Sequence, residues 1–333
     1  MHFAGALRFS ILVWLGLILI GGEAVAQQII SSSHKSSPGQ AKGSGRAATV
    51  VLKSNAIGAA KSRPDEAVPV VGNVARLERS ISARSAIIMD AASGHTLYAM
   101  NPDQPRQPAS TIKVLTGLIA LESLKRQELV PTSKRAAAMP RSKIYLQPGK
   151  SYRANDLINA VLMASANDAS VALAEKIAGS ESAFARLMTS KARAMGARNT
   201  VIKTANGLTA QGQRSTARDL AMIFRQAMTD DEFSSRMGYK AVKTGFGQTI
   251  RTHNKALWQI HGTEGGKTGF TRAAGQTYVG KFRRGDSELI VALMGSQTMW
   301  DDVKNLVEFG FQQQQGMMAS LVILDDSKKN SNL

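Results

Sequence analysis

The sequence predicts an α/β (α+β) fold in which helices flank a β-sheet. Two β-type runs, 85–90 and 95–100, come first and are separated by a turn that contains Gly94, as in a hairpin. Helical patterns then fill most of the chain to residue 229, and strand-type patterns return from residue 239 before a closing helix. Strands, then a helical block, then further antiparallel strands are typical of a sheet packed by helices.

The helical block begins at about Ser110. Pro108 fits ahead of a helix better than inside one, and apolar residues follow at helical spacing, as at Ile112 and Leu115. Residues 127–153 contain several helix breakers and are expected to be irregular. The remaining predicted elements are helices at about 155–164, 168–178, 181–196, 216–229 and 300–312, and strands at 239–252, 273–283 and 287–294.

The first 26 residues have the pattern of a secretory signal peptide. Arg8 supplies a positive charge ahead of the apolar run 9–22, and Ala24-Val25-Ala26 supplies a small-residue cleavage pattern. The apolar run is short for a membrane span, which needs about 20 residues, although an uncleaved N-terminal anchor is an alternative. We therefore expect an exported protein of the periplasm or cell envelope.

Residues 27–79 are rich in Ser, Gly, Ala and Lys and lack aromatic residues. They are predicted to form a disordered basic linker, followed by a folded domain at 80–314 and a short polar tail at 315–333. The whole chain carries 42 Lys and Arg against 24 Asp and Glu, a formal net charge of +18. This excess indicates an anionic partner, and electrostatic contact with a cell wall or membrane surface is expected. Export and the lack of interleaved aromatic residues argue against nucleic acid.

Metal and redox chemistry find little support in the composition. The chain has no cysteine, which excludes disulfides and cysteine-bound zinc or iron–sulfur sites. Its histidines show no metal-ligand spacing; they are His2, His34, His95, His253 and His261. We therefore expect neither a metal nor a cofactor.

Ser110 and Lys113 form the first candidate catalytic pair. Residues three apart on a helix share a face, so the lysine amine is expected to lie beside the serine hydroxyl. A serine with a base within hydrogen-bond reach is the minimum for an activated nucleophile. The spacing alone is weak evidence, because Ser32 and Lys35 share it in the polar linker and because a serine here could simply cap the helix.

Two further stretches complete a set of motifs. Ser165 and Asn167 follow an apolar helix in the run Ser-Ala-Asn, where a turn leaves their side chains free to face a cleft. The run 267–269, Lys-Thr-Gly, follows a Gly-Gly pair. The ordered set Ser-x-x-Lys, Ser-x-Asn and Lys-Thr-Gly occurs in penicillin-binding proteins and serine β-lactamases. In this order, each in a fitting local context, the three motifs make a strong signal.

The chain from about 80 to 314 resembles the low-molecular-mass penicillin-binding proteins, the serine D-alanyl-D-alanine carboxypeptidases. Beyond the three motifs, the resemblance rests on runs around the second motif, in mid-domain and ahead of the third motif: Ser165-Ala-Asn-Asp-Ala169, Ala205-Asn-Gly-Leu208 with Ser215-Thr-Ala-Arg-Asp-Leu220, and His253-Asn254-Lys255. It implies a β-lactamase/transpeptidase-like fold, with a five-stranded antiparallel sheet, a mostly helical subdomain and a cleft between them. It also implies peptidoglycan stem peptides as substrates and β-lactam antibiotics as covalent inhibitors.

The resemblance implies a role for the residues of the first two motifs. Ser110 would attack the carbonyl between two D-alanines, and Lys113 would take the serine proton. Because a free lysine titrates near ~10.4, burial and the second cation, Lys267, are expected to lower the pKa of Lys113. Ser165 would relay the proton to the leaving amine, and Asn167 would orient the lysine and the substrate amide.

The third motif is expected to hold the substrate. Lys267 and Thr268 would meet its terminal carboxylate, and Gly269 would let a strand-like peptide lie close to the backbone. The resemblance places the oxyanion hole at the backbone N–H groups of Ser110 and Phe270. The Phe270 side chain itself is expected to belong to the core.

A second Lys-Thr-Gly run lies at 243–245. It lacks the preceding Gly-Gly pair and the following Ala-Ala-Gly, and it comes before the Asn254-Lys255 pair instead of after it. Since a motif counts only in its structural context, we interpret this run as a chance copy.

The expected reaction is removal of the terminal D-alanine from stem pentapeptides through an acyl-enzyme on Ser110. A D,D-endopeptidase that cuts crosslinks is the nearest alternative, because many relatives carry a basic residue soon after the Met-Gly pair, where this chain reads Ser296-Gln297-Thr298. The C-terminal β-domain and amphipathic anchor that many relatives carry are likewise not expected here. A β-lactamase is disfavoured, since neither Glu175 nor Glu181 belongs to a Glu-x-x-x-Asn pattern. A basic wall-binding protein that has lost catalysis is the non-enzymatic alternative.

Overall fold

The computed structural model describes residues 72–330 of the chain. The helices are α1 (Val74–Ser80), α2 (Lys113–Ser123), α3 (Lys134–Ala137), α4 (Ala154–Met163), α5 (Asn167–Ala178), α6 (Glu181–Ala194), α7 (Ala217–Ala227), α8 (Asp231–Met237), α9 (Ala256–Gln259) and α10 (Met299–Asn330), and a 3-10 helix (Ala109–Ile112) leads into α2. The strands are β1 (Ser85–Asp90), β2 (Thr96–Met100), β3 (Leu129–Pro131), β4 (Ser151–Arg153), β5 (Ala241–Lys243), β6 (Thr249–Arg251), β7 (Thr263–Thr271), β8 (Gly275–Arg284) and β9 (Ser287–Ser296). No helix within this described part has both the length and the apolar character needed to cross a membrane.

Within residues 72–330, five strands form a central antiparallel sheet in the order β2-β1-β9-β8-β7. This arrangement confirms the predicted five-stranded antiparallel sheet flanked by helices. The last strand along the chain, β9, lies between β1 and β8, so the N-terminal hairpin and the C-terminal strands meet on it. The pairs β3-β4 and β5-β6 form small separate sheets.

The inner strands β1 and β9 each carry a continuous apolar run because both faces of the sheet are covered there. In β9, Ile290 and Ala292 belong to the core shared with α2, α4, α5 and α7, whereas Leu289 and Val291 belong to a second core shared with α10. Successive side chains of a strand point to opposite faces, so a strand between two layers of helices keeps no polar face.

The helical part brings two motifs to the same place. The predicted buried helix at 155–164 is confirmed as α4, in which almost every residue is buried. Gly117 lets α2 lie against α4, since a Cβ at this position would collide with the side chain of Leu162. The start of α2 and the start of α5 are thereby brought together, and these are the points at which the first two motifs lie.

The structure differs from the sequence prediction at the N-terminal boundary. Helix α1 begins within the segment 27–79 that is predicted as linker and ends one residue beyond it, at Ser80. The Asn73 side chain caps it, and Leu77 is buried in the core shared with α10. Because this short helix buries only one residue, its sequence has no repeated apolar spacing from which a helix could be predicted. The predicted signal peptide and the rest of the predicted linker, 1–71, lie outside the described residues.

Two further elements differ from the prediction. Helix α10 continues to Asn330, through most of the predicted polar tail. The glutamines at 312–315, where the tail was predicted to begin, are polar but favourable in a helix. Strand β7 was not predicted, since its run Thr-Glu-Gly-Gly-Lys-Thr-Gly-Phe-Thr shows no apolar alternation and glycine is depleted in strands. Residues 331–333 lie outside the described part.

Candidate active site

Ser110 lies where the chain enters α2, in the 3-10 helix. Two hydroxyl groups fix the start of this helix by donating to the Pro108 carbonyl, Thr111 Oγ1 at 2.6 Å and Thr277 Oγ1 of β8 at 3.0 Å. Ala109 has a φ of +51°, in the left-handed region that residues with a side chain rarely adopt. Such a conformation persists only where the surroundings hold it, and it is common at active sites.

The Lys113 amine is the centre of the site. Its Nζ lies 2.8 Å from Ser110 Oγ, 2.8 Å from Asn167 Oδ1 and 2.6 Å from the Asn206 carbonyl oxygen, and the side chain is 0% exposed. Both amide oxygens can only accept a hydrogen bond. A neutral amine, with two N–H donors and one lone pair, therefore satisfies both of them and directs its lone pair to the Ser110 hydroxyl.

The electrostatic surroundings favour this neutral form. Burial lowers the pKa of Lys113 well below its ordinary value, and the charge of Lys267 lowers this pKa further, whereas Asp168 acts in the opposite sense. Burial and Lys267 are the two causes expected from the sequence. Because only a deprotonated amine accepts a proton, the lowered pKa suits Lys113 to act as a general base.

A second serine–lysine pair lies in the same site. Lys267 Nζ donates to Ser165 Oγ at 3.0 Å and to the Thr268 carbonyl at 2.9 Å. Lys267 is 1% exposed, and burial lowers its pKa to about 7. Near neutral pH this lysine is therefore divided between its charged and neutral forms, so it can both attract an anion and exchange a proton.

The start of α5 holds one side of the site. Asn167 Nδ2 donates to two carbonyl oxygens of the loop 140–146, at 3.0 and 3.1 Å, while its Oδ1 accepts from Lys113. The buried Asp168 carboxylate accepts from two backbone N–H groups of the same loop, each at 3.1 Å. One helix start thus positions both the amine and a wall of the cleft.

Gly269 lets β7 lie against the 3-10 helix. A Cβ on this residue would lie 2.5 Å from Thr277 Oγ1 and 2.7 Å from the Ser110 backbone nitrogen. From the sequence, this glycine was expected to let a substrate lie close to the backbone. In the structure, the glycine is already required for the close approach of β7 to the 3-10 helix that carries Ser110.

These groups open into a cleft of about 600 Å³. Six predicted site residues line it, namely Ser110, Ser165, Asn167, Thr268, Gly269 and Phe270. Lys113 and Lys267 lie buried beside it, so the structure brings all eight predicted residues together. Among the described residues, no three His, Asp or Glu side chains are grouped closely enough to hold a metal ion.

The expectation that the Phe270 side chain belongs to the core is wrong. This side chain is 66% exposed and lines the cleft. Strand β7 is an edge strand of the central sheet, and Phe270 lies near its end, where the alternation of the strand turns its side chain away from the buried Gly269.

Several parts of the site were not predicted. The Asn206 carbonyl, which accepts from Lys113, belongs to the run 205–208, to which no role in the site was assigned from the sequence. Gly207 in this run has a φ of +77°, and a Cβ there would collide with the Ala109 carbonyl. That glycine was the only sequence signal for this contact. The cleft is also lined by basic and aromatic side chains outside the motifs: Arg141, His253, Lys255 and Trp300.

The second Lys-Thr-Gly run, 243–245, lies on the β5–β6 hairpin and outside the lining of the cleft. The Gly245 N–H donates to Asp156 Oδ2 at 3.0 Å, and the ring of Phe246 packs edge-on against Tyr152. Lys243 lines a different hollow of the surface.

Comparison with known proteins agrees with the geometry. The profile of the family Peptidase_S11, D-alanyl-D-alanine carboxypeptidase, matches residues 72–298. The D-alanyl-D-alanine carboxypeptidase DacF of Bacillus subtilis is 31% identical over 248 residues, which cover 71% of this chain and 64% of that protein. DacB2 of Mycobacterium tuberculosis, of the same activity by name, is 34% identical over 240 residues, 69% of this chain and 82% of that protein. This chain thus spans less than two thirds of the Bacillus protein.

The fold comparison points the same way. Penicillin-binding protein D2 of Listeria monocytogenes, solved in its ampicillin-bound form, matches with a TM-score of 0.64 at 28% identity, over 69% of this chain and 98% of that chain. The profile match includes all eight predicted site residues, since they lie between 110 and 270. The chain belongs to the D-alanyl-D-alanine carboxypeptidase family, peptidase family S11.

Proposed function

We propose that this protein is a serine-type D-alanyl-D-alanine carboxypeptidase that removes the terminal D-alanine from peptidoglycan stem pentapeptides. The observation that carries the proposal is the 2.8 Å contact between Ser110 Oγ and a buried Lys113 whose pKa is lowered. Family membership supports the reaction class, because relatives from Bacillus and Mycobacterium are named for this activity.

Acylation begins when the Ser110 oxygen attacks the carbonyl carbon between the two D-alanines. The neutral Lys113 amine takes the hydroxyl proton as the new O–C bond forms. The bond from this carbon to the amide nitrogen then breaks, and the leaving amine takes up the proton that Lys113 had accepted, which in this proposal passes by way of the Ser165 hydroxyl; Ser165 in turn accepts a hydrogen bond from Lys267. Free D-alanine leaves an ester on Ser110, which water hydrolyses, returning the proton to the serine.

The backbone N–H groups of Ser110 and Phe270 serve as the oxyanion hole in this proposal. Gly269 supports the assignment, because it brings β7 against the Ser110 nitrogen. The entry into α2 also favours developing negative charge through the helix dipole. Fixed donors aimed at such a charge lower the barrier, and each is typically worth about 10²- to 10³-fold in rate. Lys267 and Thr268 would meet the substrate's terminal carboxylate.

The substitution Gly269→Ala is expected to slow acylation by penicillin roughly 10²-fold. The added methyl group must displace β7 or the Ser110 helix, since it would lie 2.7 Å from the Ser110 nitrogen. Acylation is measured with a fluorescent penicillin, and a thermal melt checks that the variant is folded. A folded variant with the wild-type rate would show that the contact between β7 and Ser110 does not set the site geometry.

Penicillin is expected to acylate Ser110, as its reactive amide offers a carbonyl to the same nucleophile. The Listeria relative has been solved with ampicillin bound. Mass spectrometry of the treated protein should show a covalent adduct on the peptide that contains Ser110, and none in Ser110→Ala. A folded protein that stays unmodified would contradict the proposed function and favour a wall-binding protein without catalysis.

A D,D-endopeptidase is the second candidate, favoured by one observation. Many relatives carry a basic residue soon after the Met-Gly pair, but in this chain the residues 296–300, at the end of β9 and the start of α10, are all neutral. Digestion of purified muropeptides separates the two activities. Monomeric pentapeptides shortened by one D-alanine are expected for the carboxypeptidase, whereas crosslinked dimers cut to monomers, with pentapeptides intact, would establish the endopeptidase.

We also propose that the exported protein is held at an anionic wall or membrane surface by its net charge of +18. The electrostatic attraction between such an excess of positive charge and an anionic surface is screened beyond about 10 Å at about 0.1 M salt, and it weakens as the salt concentration rises. The full chain is expected to sediment with phosphatidylglycerol vesicles at low ionic strength and to be released at high ionic strength. Absence of binding at low ionic strength would contradict a membrane contact.

A further inference from the structure

The carbonyl that accepts from the Lys113 amine needs a fixed position. Asn206 supplies it, at 2.6 Å from Lys113 Nζ, and a carbonyl oxygen can only accept a hydrogen bond. One N–H of the amine is therefore directed at Asn206 and another at Asn167 Oδ1, 2.8 Å away. Together these two bonds decide where the lone pair of a neutral amine points, which in this site is toward Ser110 Oγ at 2.8 Å. A displaced Asn206 carbonyl would turn the lone pair away from the serine.

Two helices hold the residue before Asn206 by its backbone. The Ala205 N–H donates to Oε1 of Glu181, the first residue of α6, at 3.1 Å. The Ala205 carbonyl accepts from Thr116 Oγ1 of α2 at 2.6 Å. Ala205 and Thr116 are fully buried and Glu181 is 8% exposed, so these bonds take the place of water for buried backbone groups. The position of Asn206 therefore depends on two side chains and not on pairing with a strand.

The segment 204–208 also holds its own shape on the far side of Asn206. The Gly207 N–H, which lies in the same planar peptide group as the Asn206 carbonyl, donates to Thr204 Oγ1 at 3.1 Å. The Leu208 N–H donates to Asn206 Oδ1 at 2.9 Å. Because these bonds lie within the segment, they preserve its shape, and contacts from outside must fix its position. The bonds from α6 and α2 supply such contacts.

The two oxygens of the Glu181 carboxylate have different partners. Oε2 accepts from Arg135 Nη2 of α3 at 2.5 Å, and the Arg135 side chain is 64% exposed. Because water competes for such an exposed cation, the ion pair contributes little to stability. Oε1 instead serves the buried Ala205 N–H, for which any acceptor oxygen at the same place would suffice. Glu181 itself lies outside the lining of the cleft, so it acts on the site through the backbone.

We propose that Glu181 is a positioning residue for the general base: it holds the Asn206 carbonyl against the Lys113 amine through the Ala205 N–H. The contacts run from Glu181 Oε1 through one residue of backbone to Lys113 Nζ, with distances of 3.1 and 2.6 Å at the two ends. The acceptor oxygen of Glu181 is what the site requires, and its negative charge is not. This inference rests on the proposed function, because it concerns the base that activates Ser110.

Three substitutions separate the acceptor oxygen from the charge. Glu181→Gln keeps an acceptor oxygen for Ala205 but removes the charge, so a fluorescent penicillin should acylate it at the wild-type rate. Glu181→Met has a similar length but only a weak acceptor, so the maximal acylation rate should fall about tenfold. The penicillin concentration that gives half of that rate should not change, since Glu181 does not line the cleft. Arg135→Gln is the matched control: it removes only the partner of Oε2 and should keep the wild-type rate.

Thermal melts separate positioning from a loss of stability. Glu181→Gln and Arg135→Gln both lose the ion pair, so a rate that followed stability would fall in these variants too. If Glu181→Met does not fold, Glu181→Asp replaces it: this variant keeps the charge, but its side chain is one methylene too short to reach Ala205, and the same loss of about tenfold is expected. A wild-type rate in folded Glu181→Met or Glu181→Asp, or an equal loss in Glu181→Gln or Arg135→Gln, would overturn the positioning role. Failure of the proposed function is seen separately, as a wild-type protein that penicillin does not acylate.

Discussion

Replacing Lys113 with arginine is expected to slow the acylation of Ser110 by penicillin by about 10³-fold. Arginine keeps the positive charge, but its guanidinium does not give up a proton and offers no lone pair to the serine hydroxyl. The Asn167 side chain and the Asn206 carbonyl, which accept from Lys113 at 2.8 and 2.6 Å, can accept from a guanidinium as well. The substitution therefore separates the ability to take a proton from the presence of a charge.

The pH dependence of the wild-type reaction follows from the same lysine. Burial and then Lys267 lower the pKa of Lys113, and only the neutral amine accepts the serine proton. The acylation rate should therefore rise with pH through this lowered pKa and level off well below ~10.4, where a free lysine titrates. Lys113→Arg should lack the rise, since its side chain stays charged throughout.

Lys243→Arg is the matched control, because it makes the same exchange in a lysine outside the cleft. Its rate with a fluorescent penicillin should equal that of the wild type, and circular dichroism checks the fold of both variants. A normal acylation rate in Lys113→Arg would show that another group takes the proton.

The two motif pairs could be predicted because their geometry is local. Ser110 and Lys113 share a helix face whatever the rest of the chain does, and Ser165 and Asn167 flank the start of one helix. Strand β9 was equally visible, since burial on both faces leaves a continuous apolar run. In each case the physical cause of the structure lies within a few consecutive residues.

The parts that escaped prediction depend on distant contacts or on the backbone. The Asn206 carbonyl accepts from Lys113 across 93 positions, and a carbonyl oxygen has no side-chain identity that a sequence could show. Strand β7 is held by pairing with β8 and by the space that Gly269 leaves beside Ser110, not by an apolar pattern. The exposure of Phe270 follows from its place on an edge strand, which only the strand order reveals.

Replacing Lys267 with methionine is expected to slow acylation roughly 10²-fold, since it removes the donor to Ser165 and a positive charge from the cleft. Methionine keeps much of the length of the side chain and packs well in a core. The free energy of unfolding should not fall, because burial of Lys267, which lowers its pKa to about 7, disfavours the charged lysine in the folded state. Lys243→Met, in the second Lys-Thr-Gly run, should keep the wild-type rate.

The pH profile of Lys267→Met distinguishes an electrostatic role from a structural one. The positive charge of Lys267 helps to lower the pKa of Lys113, so its removal must raise that pKa. The remaining acylation should therefore rise with pH at a higher value than in the wild type, and part of the lost rate should return in alkaline buffer. A variant that is uniformly slower, with its pH profile unmoved, would show that Lys267 acts only by holding Ser165 and the substrate. A profile that moves to higher pH requires that the two buried lysines interact through their charges, so that the cation that attracts the substrate's carboxylate also keeps the base of Ser110 neutral.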